Sequence, residues 1–144
     1  MNYSDTQLRA YVTDIATDFY QQIFDCPWFS KLFANTTQEI ITNQQIDFML
    51  GALGGPNLYG GRSPKHAHPH VWVNEDIWDH REKLLMKTFN KVQTPQDIRE
   101  KWLNIENAFK LSIINKGGPE TCQGRYKTEK IIYEPIPDSI KNSI

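Results

Sequence analysis

Apolar side chains recur at spacings of three and four residues in four separate stretches of the chain, and this pattern decides the fold class. Such a spacing places side chains on one face of an α-helix, whereas a half-buried strand requires strict alternation. The stretches cover residues 5–24, 37–53, 74–92 and 95–114. They predict an all-α domain built from four principal helices.

The predicted helix ends coincide with residues that cap or break helices. Cys26-Pro27 ends the first helix, because the residue before a proline is pushed out of the helical region. Gly54-Gly55-Pro56 ends the second, because glycine adopts the left-handed cap and proline cannot continue a helix. Side chains of Ser, Thr, Asp and Asn accept hydrogen bonds from the free N–H groups at a helix start. The predicted caps are Ser4 or Asp5, Asn35 or Thr36, Asn74, and Thr94 followed by Pro95.

Composition narrows the class of protein. The 144 residues suit one domain, and 16 basic and 17 acidic residues give a net charge of -1. No basic run is present, so neither a nucleic acid nor a membrane is an expected partner. Cys26 and Cys122 are far apart, which argues against a disulfide framework. The first residues are polar and helical in pattern, unlike a signal peptide, so we expect a cytoplasmic protein.

The helical pattern stops after Gly118. The run KIIY at residues 130–133 predicts at most one short strand, since Pro135 and Pro137 follow it. We therefore expect a helical domain over residues 1–118 and a partly ordered C-terminal extension over residues 119–144.

Residues 54–73, rich in Gly, Pro and His, separate the second helix from the third. Irregular loops of this length are uncommon in compact domains and are usually functional. The loop places His66, His68 and His70 at alternate positions, among four histidines in the chain. In an extended segment they would point to one side and suit zinc, which takes three or four ligands, although Pro69 disturbs that geometry. Alternatively, the three histidines are ordinary polar groups on the protein surface.

The residues around this loop are compatible with an iron porphyrin. Such a group requires one axial nitrogen, an apolar slot, and a distal side that controls the incoming ligand. A loop imidazole precedes Val71 and Val73, and the first helix carries Tyr20 next to Phe19. A buried tyrosine or glutamine is costly without a hydrogen-bond partner, and bound dioxygen accepts hydrogen bonds. The second helix offers one mostly apolar face, formed by Ile41, Gln45, Phe48 and Met49.

The run from Gln44 to Asp79 resembles the central segment of the truncated haemoglobins, the short two-over-two relatives of the globins. Upstream, Phe19-Tyr20 resembles the distal Phe-Tyr pair of that family, and Phe33 resembles the phenylalanine at the haem edge. The resemblance covers about residues 8–114, and its specificity comes from the order and spacing of the motifs together. The matching features are Gln45 before Phe48-Met49, LGGP at 53–56, Tyr59, Gly61, Ala67-His68, Val73-Asn74 and Trp78-Asp79.

This resemblance implies a globin-like, shortened two-over-two helical sandwich around haem b. It makes His68 the proximal iron ligand, and it makes Tyr20 and Gln45 the distal hydrogen-bonding groups. Ile41 falls where many globins place a distal histidine. His66 and His70 are then expected near the haem propionates or, more simply, on the surface. The expected haem-contacting residues are Phe33, Ile41, Gln45, Phe48, Met49, Leu53, Tyr59, Arg62, Lys65, His68, Val71, Val73 and Trp78, with Arg62 and Lys65 as propionate partners.

The sequence departs from the family pattern at three positions. Pro64 stands where relatives often have methionine, and Pro69 directly follows the proposed ligand, so both would stiffen or tilt the proximal loop. Arg81 lies on a helix face where some relatives have tryptophan or an aliphatic residue. We expect its side chain to extend outward or to pair with a propionate.

The function implied by the resemblance is reversible binding of dioxygen, nitric oxide and carbon monoxide at a five-coordinate iron. Its role would be oxygen binding or transport, or nitric oxide detoxification with an external reductase, in a monomer or weak homodimer. Two alternatives belong to other classes: a non-haem metalloprotein that uses His66, His68 and His70, and a haem-free helical interaction module. An intense Soret band would distinguish the haem protein from both.

Overall fold

The computed structural model describes residues 2–142, and all of the regular elements in this range are helical. The helices are α1 (Asp5–Asp25), α2 (Pro27–Ser30), α3 (Gln38–Ala52), α4 (Pro64–Ala67), α5 (Glu75–Lys91), α6 (Gln96–Ile113) and α7 (Asp138–Lys141). Short 3-10 turns cover Lys31–Phe33 and Pro119–Thr121. The four long helices lie close to their predicted bounds, which confirms the all-α prediction. Within the described range, no helix combines the length and the apolar character needed to span a membrane.

Two of the four predicted helix caps agree with the structure, and the structure corrects the other two. Ser4 caps α1 and forms a capping box with Gln7, and Asn74 accepts a 3.0 Å hydrogen bond from the Ile77 N–H of α5. The cap of α3 is Thr37, neither Asn35 nor Thr36, since its hydroxyl accepts from the Ile40 N–H. Pro95 directly precedes α6, and the buried Thr94 hydroxyl makes no hydrogen bond within residues 2–142.

The core forms where α1 packs against α3 and α5. The predicted stripe of α1 is buried there, with Val12 and Ile15 fully inaccessible to solvent. α6 packs against α5, where the Trp102 ring contacts the Phe89 ring edge-on with centroids 6.2 Å apart. The four long helices thus form two pairs, α1 with α3 and α5 with α6, and the gap between the pairs is available for a site.

The loop before α5 is more regular than the sequence indicated. Pro64 occupies the first turn of α4, a position that proline favours because no N–H is required there. Beyond this short helix, Val71 and Ile132 form an isolated parallel bridge, so the predicted KIIY strand is reduced to a single residue pair. The division of the chain at residue 118 stays a prediction, and residues 143–144 of the extension lie outside the described residues.

Candidate cofactor site

A cavity of about 450 Å³ lies between the two helix pairs and the loop that carries the histidines. This volume falls within the range of roughly 300–1,000 Å³ that is typical of cofactor and small-molecule pockets. Its walls are mostly apolar, with a few polar groups that converge on the interior. The sequence-predicted residues that line it are Tyr20, Phe33, Ile41, Gln45, Phe48, Met49, Tyr59, Arg62, His68, Val71, Val73 and Trp78.

Leu53 and Lys65 were also predicted to line this site, and both lie outside the cavity. α3 ends at Ala52, so Leu53 leaves the helical register and is buried near Leu8 on another side of the core. Lys65 is exposed on α4. That helix turns Pro64 and Ala67 toward the cavity, and the side chain of Lys65, one position after Pro64, points away from it.

His68 lies directly after α4 and lines the cavity. Its Nδ1 is 2.7 Å from the carbonyl oxygen of Pro64. Because a carbonyl only accepts, Nδ1 must carry the proton, and Nε2 then keeps a free lone pair. Burial lowers the pKa of His68, although the Pro64 carbonyl opposes this change. A neutral imidazole with an oriented second nitrogen is the form that binds a metal.

Tyr20 and Gln45 bring hydrogen-bonding groups to the cavity from α1 and α3. Neither side chain has a hydrogen-bond partner within residues 2–142. Burial raises the pKa of Tyr20 to about 12, so its hydroxyl stays protonated and remains a donor. The ring is fixed by edge contacts with Phe19 and Phe33, with centroids 5.2 and 5.8 Å away. A fixed, unpartnered donor in an apolar cavity is what a small polar ligand requires.

Tyr59 closes the cavity near the start of the histidine loop. Its ring meets Phe48 edge-on at 5.3 Å, and its hydroxyl donates to the carbonyl oxygen of Arg62. Gly61 lies beneath this ring, where a Cβ atom would come within 2.5 Å of the Tyr59 hydroxyl. Tyr59 and Gly61 therefore form one packed unit that positions Arg62 at the cavity edge.

Arg81 was expected to extend outward or to pair with a propionate. The structure shows neither arrangement. Its guanidinium binds both carboxylate oxygens of Glu106 on α6, with one Nη1–Oε1 distance of 3.0 Å. It also stacks over the rings of Phe19 and Trp78, at 5.0 and 5.3 Å from their centroids. The sequence contained a signal for this pair, because the apolar stripes of α5 and α6 each include one charged residue, and Arg81 and Glu106 have opposite charges.

His70 was expected near the haem propionates or on the surface. The structure corrects the second alternative, since His70 is 5% exposed and lines the cavity. Arg125 of the C-terminal extension donates from Nη2 to His70 Nε2 at 3.2 Å. The same guanidinium pairs with Glu129, whose side chain is 1% exposed. Burial, followed by the nearby Arg125 charge, lowers the pKa of His70. Sequence analysis missed this buried cluster because Arg125 and Glu129 lie 55 or more residues after His70 in the chain.

Glu129 is expected to make the stability of this cluster dependent on pH. The hydrogen bond from Arg125 lowers the pKa of Glu129 from 4.5 to about 2. A carboxylate whose pKa is lower in the folded than in the unfolded state stabilises the fold. This stabilisation is complete above pH 4.5 and is lost as the pH falls toward about 2. The free-energy difference of unfolding between wild type and Glu129→Gln should therefore shrink through this window, measured by chemical denaturation.

The matched control for this experiment is Glu100→Gln, which removes an exposed carboxylate from α6 and reports the general effect of losing one charge. A wild-type minus Glu129→Gln difference that stays constant between pH 4.5 and about pH 2 would contradict the Arg125–Glu129 assignment.

The three loop histidines differ in their surroundings. His68 and His70 both line the cavity, but Nε2 of the His70 ring accepts from Arg125 of the extension, and His66 is exposed on α4. Among residues 2–142, no three His, Cys, Asp or Glu side chains are placed to hold a metal ion together. A site with one available imidazole nitrogen, apolar walls and separate hydrogen-bond donors fits an iron porphyrin better than it fits zinc.

Comparisons with known proteins point in the same direction. A model of the family described as bacterial-like globin matches residues 3–115. The group 2 truncated hemoglobin 3-1 of Lotus japonicus is 35% identical over 103 residues, which cover 70% of this chain and 58% of that protein. The two-on-two hemoglobin-3 of Arabidopsis thaliana is 33% identical over 58 residues, or 39% of this chain and 31% of its own length. The matches thus span less than two thirds of these relatives.

Proposed function

This chain belongs to the bacterial-like globin family, which implies haem binding, and on that premise we propose that it binds dioxygen reversibly at a haem iron held by His68. The all-α architecture described above is the globin-like, two-over-two fold expected of such a chain. The finer points, namely the haem type, the ligands and the residue roles, are part of the proposal.

The observation that carries the proposal is the orientation of His68. Its Nδ1–H donates to the Pro64 carbonyl at 2.7 Å, and the ring lines the cavity, so that Nε2 is the nitrogen left to bind iron when the ring is neutral. Such a backbone hydrogen bond fixes the tautomer and the ring plane of a metal-bound histidine. Pro64 and Pro69 were expected to stiffen or tilt this loop. Pro64 stands in the first turn of α4, and its carbonyl is the acceptor that orients the ring.

The remaining cavity residues divide into holding and ligand-contacting groups. Haem iron, when bound, supplies the coordination position at which a diatomic gas is held. Phe48, Met49 and Trp78 offer apolar contacts to the flat macrocycle, and Arg62 is the candidate partner for its carboxylates. Tyr20 and Gln45 are the proposed hydrogen-bond donors to a ligand in the cavity.

Haem b is the proposed cofactor, and nitric oxide and carbon monoxide are proposed as further ligands because both are small and uncharged. Oxygen transport and nitric oxide detoxification are both compatible with such a site, since fold does not select a physiological role. Sustained oxidation of nitric oxide would draw electrons from an external reductase. A cytoplasmic location and a monomeric or weakly dimeric state complete the proposal.

Absorption spectroscopy of the full chain tests this function. Protein purified with haem supplied during expression is expected to show a Soret band, with about one haem for each chain and a pyridine adduct of haem b. The ferrous form should change its spectrum on addition of dioxygen and recover it when the gas is removed. Metal analysis of the same sample should give iron in proportion to the band.

Two other outcomes would overturn the proposal. A colourless protein that retains stoichiometric zinc would support a non-haem metal site at His66, His68 and His70. A colourless protein that holds no metal and does not take up added haem would support a haem-free helical interaction module.

A further inference from the structure

Residues 119–136 of the C-terminal extension, here called the strap, run along the loop that carries His68. The backbone N–H of Gln123 donates to the Pro69 carbonyl at 2.8 Å, and that of Ile132 donates to the His70 carbonyl at 2.8 Å. In return, the Trp72 N–H donates to the Ile132 carbonyl at 2.9 Å. The two backbone carbonyls that follow His68 are therefore occupied by the strap.

Arg125 extends this contact to the residue before His68. Its Nη1 donates to the Ala67 carbonyl at 3.3 Å, while its Nε donates to the Glu129 carboxylate at 2.9 Å. Its Nη2 reaches the His70 ring. One rigid guanidinium thus joins the strap to both sides of His68, and the planar fork of arginine suits such multiple contacts. Arg125 and Ile132 also line the cavity itself.

The strap is also anchored to the helical body at positions away from His68. The Trp28 indole N–H of α2 donates to the Glu134 carbonyl at 3.0 Å, and the side-chain amide of Asn115, two residues after α6, donates to the Thr121 hydroxyl at 2.9 Å. The Glu129 carboxylate that orients Arg125 is almost completely buried. Because these contacts fix the strap, it can in turn restrain the short loop.

We propose that the strap is part of the proximal side of the haem site and that Arg125 is the positioning residue that sets the orientation of the His68 imidazole. This inference rests on the proposed function and goes beyond the family assignment, because the family match ends at residue 115. His68 is oriented by a carbonyl of its own loop, and the strap holds that loop at Ala67, Pro69 and His70. A strap that merely covered apolar surface would affect stability and leave the bound histidine unchanged.

The test uses full-length, haem-loaded Arg125→Gln and wild type. The first measurement is the iron–histidine stretching band of the ferrous protein in the resonance Raman spectrum, and the second is the rate of haem loss to an acceptor apoprotein. We expect a shifted or broadened band and roughly tenfold faster haem loss, the scale set by losing a charged hydrogen bond. Lys141→Ala is the matched control, since it breaks an ion pair to Asp76 elsewhere in the extension.

The outcomes distinguish a strap that positions His68 from a strap that only covers apolar surface. An Arg125→Gln band and loss rate equal to those of wild type would overturn the positioning role and leave the haem function intact. Equal changes in Lys141→Ala would overturn it as well, because they would show a general effect of loosening the extension. If Arg125→Gln does not fold, the same two measurements on Arg125→Lys decide, with wild-type values overturning the proposal. A wild-type protein without any iron–histidine band would instead refute the proposed function.

Discussion

Replacement of His68 with alanine is expected to abolish the Soret band of the protein as purified, or to leave a weak band from loosely held haem. The imidazole is the one cavity nitrogen in residues 2–142 that combines an oriented ring with a free lone pair. Loss of an outer-shell partner of a metal ligand costs about 10–100-fold in metal affinity, and loss of the ligand itself should cost more. Haem content per chain and the rate of haem loss measure the effect.

His66→Ala is the matched control for this substitution. It removes an imidazole from the same short segment, at an exposed position, and should leave the band nearly intact. Free imidazole added to His68→Ala should restore part of the band, because the truncated side chain leaves room for it against the same apolar walls. A His68→Ala protein with full haem content and a wild-type ferrous spectrum would refute the ligand assignment.

The helices could be predicted from the sequence because their determinants are local. A stripe at three and four spacing requires only that one face be buried, and Asn74 is followed directly by the helix it caps. The α3 cap was misplaced because Asn35, Thr36 and Thr37 are consecutive and belong to the same class of capping residue. Local preference alone does not choose among them.

The sequence indicated a cavity with apolar walls, but it did not indicate the charged residues that lie beside His70. Residues on the predicted apolar face of α3, such as Phe48 and Met49, line its wall. His70 was expected near the haem propionates or at the surface, because nothing near it in the sequence indicates burial. Its burial depends on Arg125 and Glu129, which approach it only through the path of the extension. Long-range contacts of this kind depend on tertiary structure, which a single sequence does not encode in any local pattern.

Arg81 and Glu106 illustrate a signal that was present but incomplete. Each stands in an otherwise apolar helical stripe, and a buried charge without a partner is strongly unfavourable. Opposite charges on the inward faces of α5 and α6 therefore indicate that the two helices pack against each other at this point. The pair occupies the guanidinium that had been considered for a propionate, which leaves Arg62 as the candidate in that role.

Tyr20→Phe is expected to raise the dioxygen dissociation rate by about five- to a hundredfold. This range corresponds to a hydrogen bond worth on the order of 1–3 kcal/mol in a water-excluded site. The hydroxyl has no partner within residues 2–142, so a ligand in the cavity is the acceptor available to it. Because burial raises the pKa of Tyr20 to about 12, the effect should persist from neutral into alkaline solution. Flash photolysis or stopped-flow mixing measures the rate.

Tyr11→Phe on the same helix is the control, since Tyr11 packs against Tyr3 with ring centroids 5.5 Å apart and lies outside the cavity. Gln45→Leu removes the second donor, and the double variant tests whether the two donors act on one ligand, because coupled groups give non-additive free energies. Carbon monoxide accepts weaker hydrogen bonds than dioxygen, so its dissociation rate should change much less in Tyr20→Phe. A dioxygen rate that is unchanged in Tyr20→Phe and raised in Gln45→Leu would assign ligand retention to the amide alone.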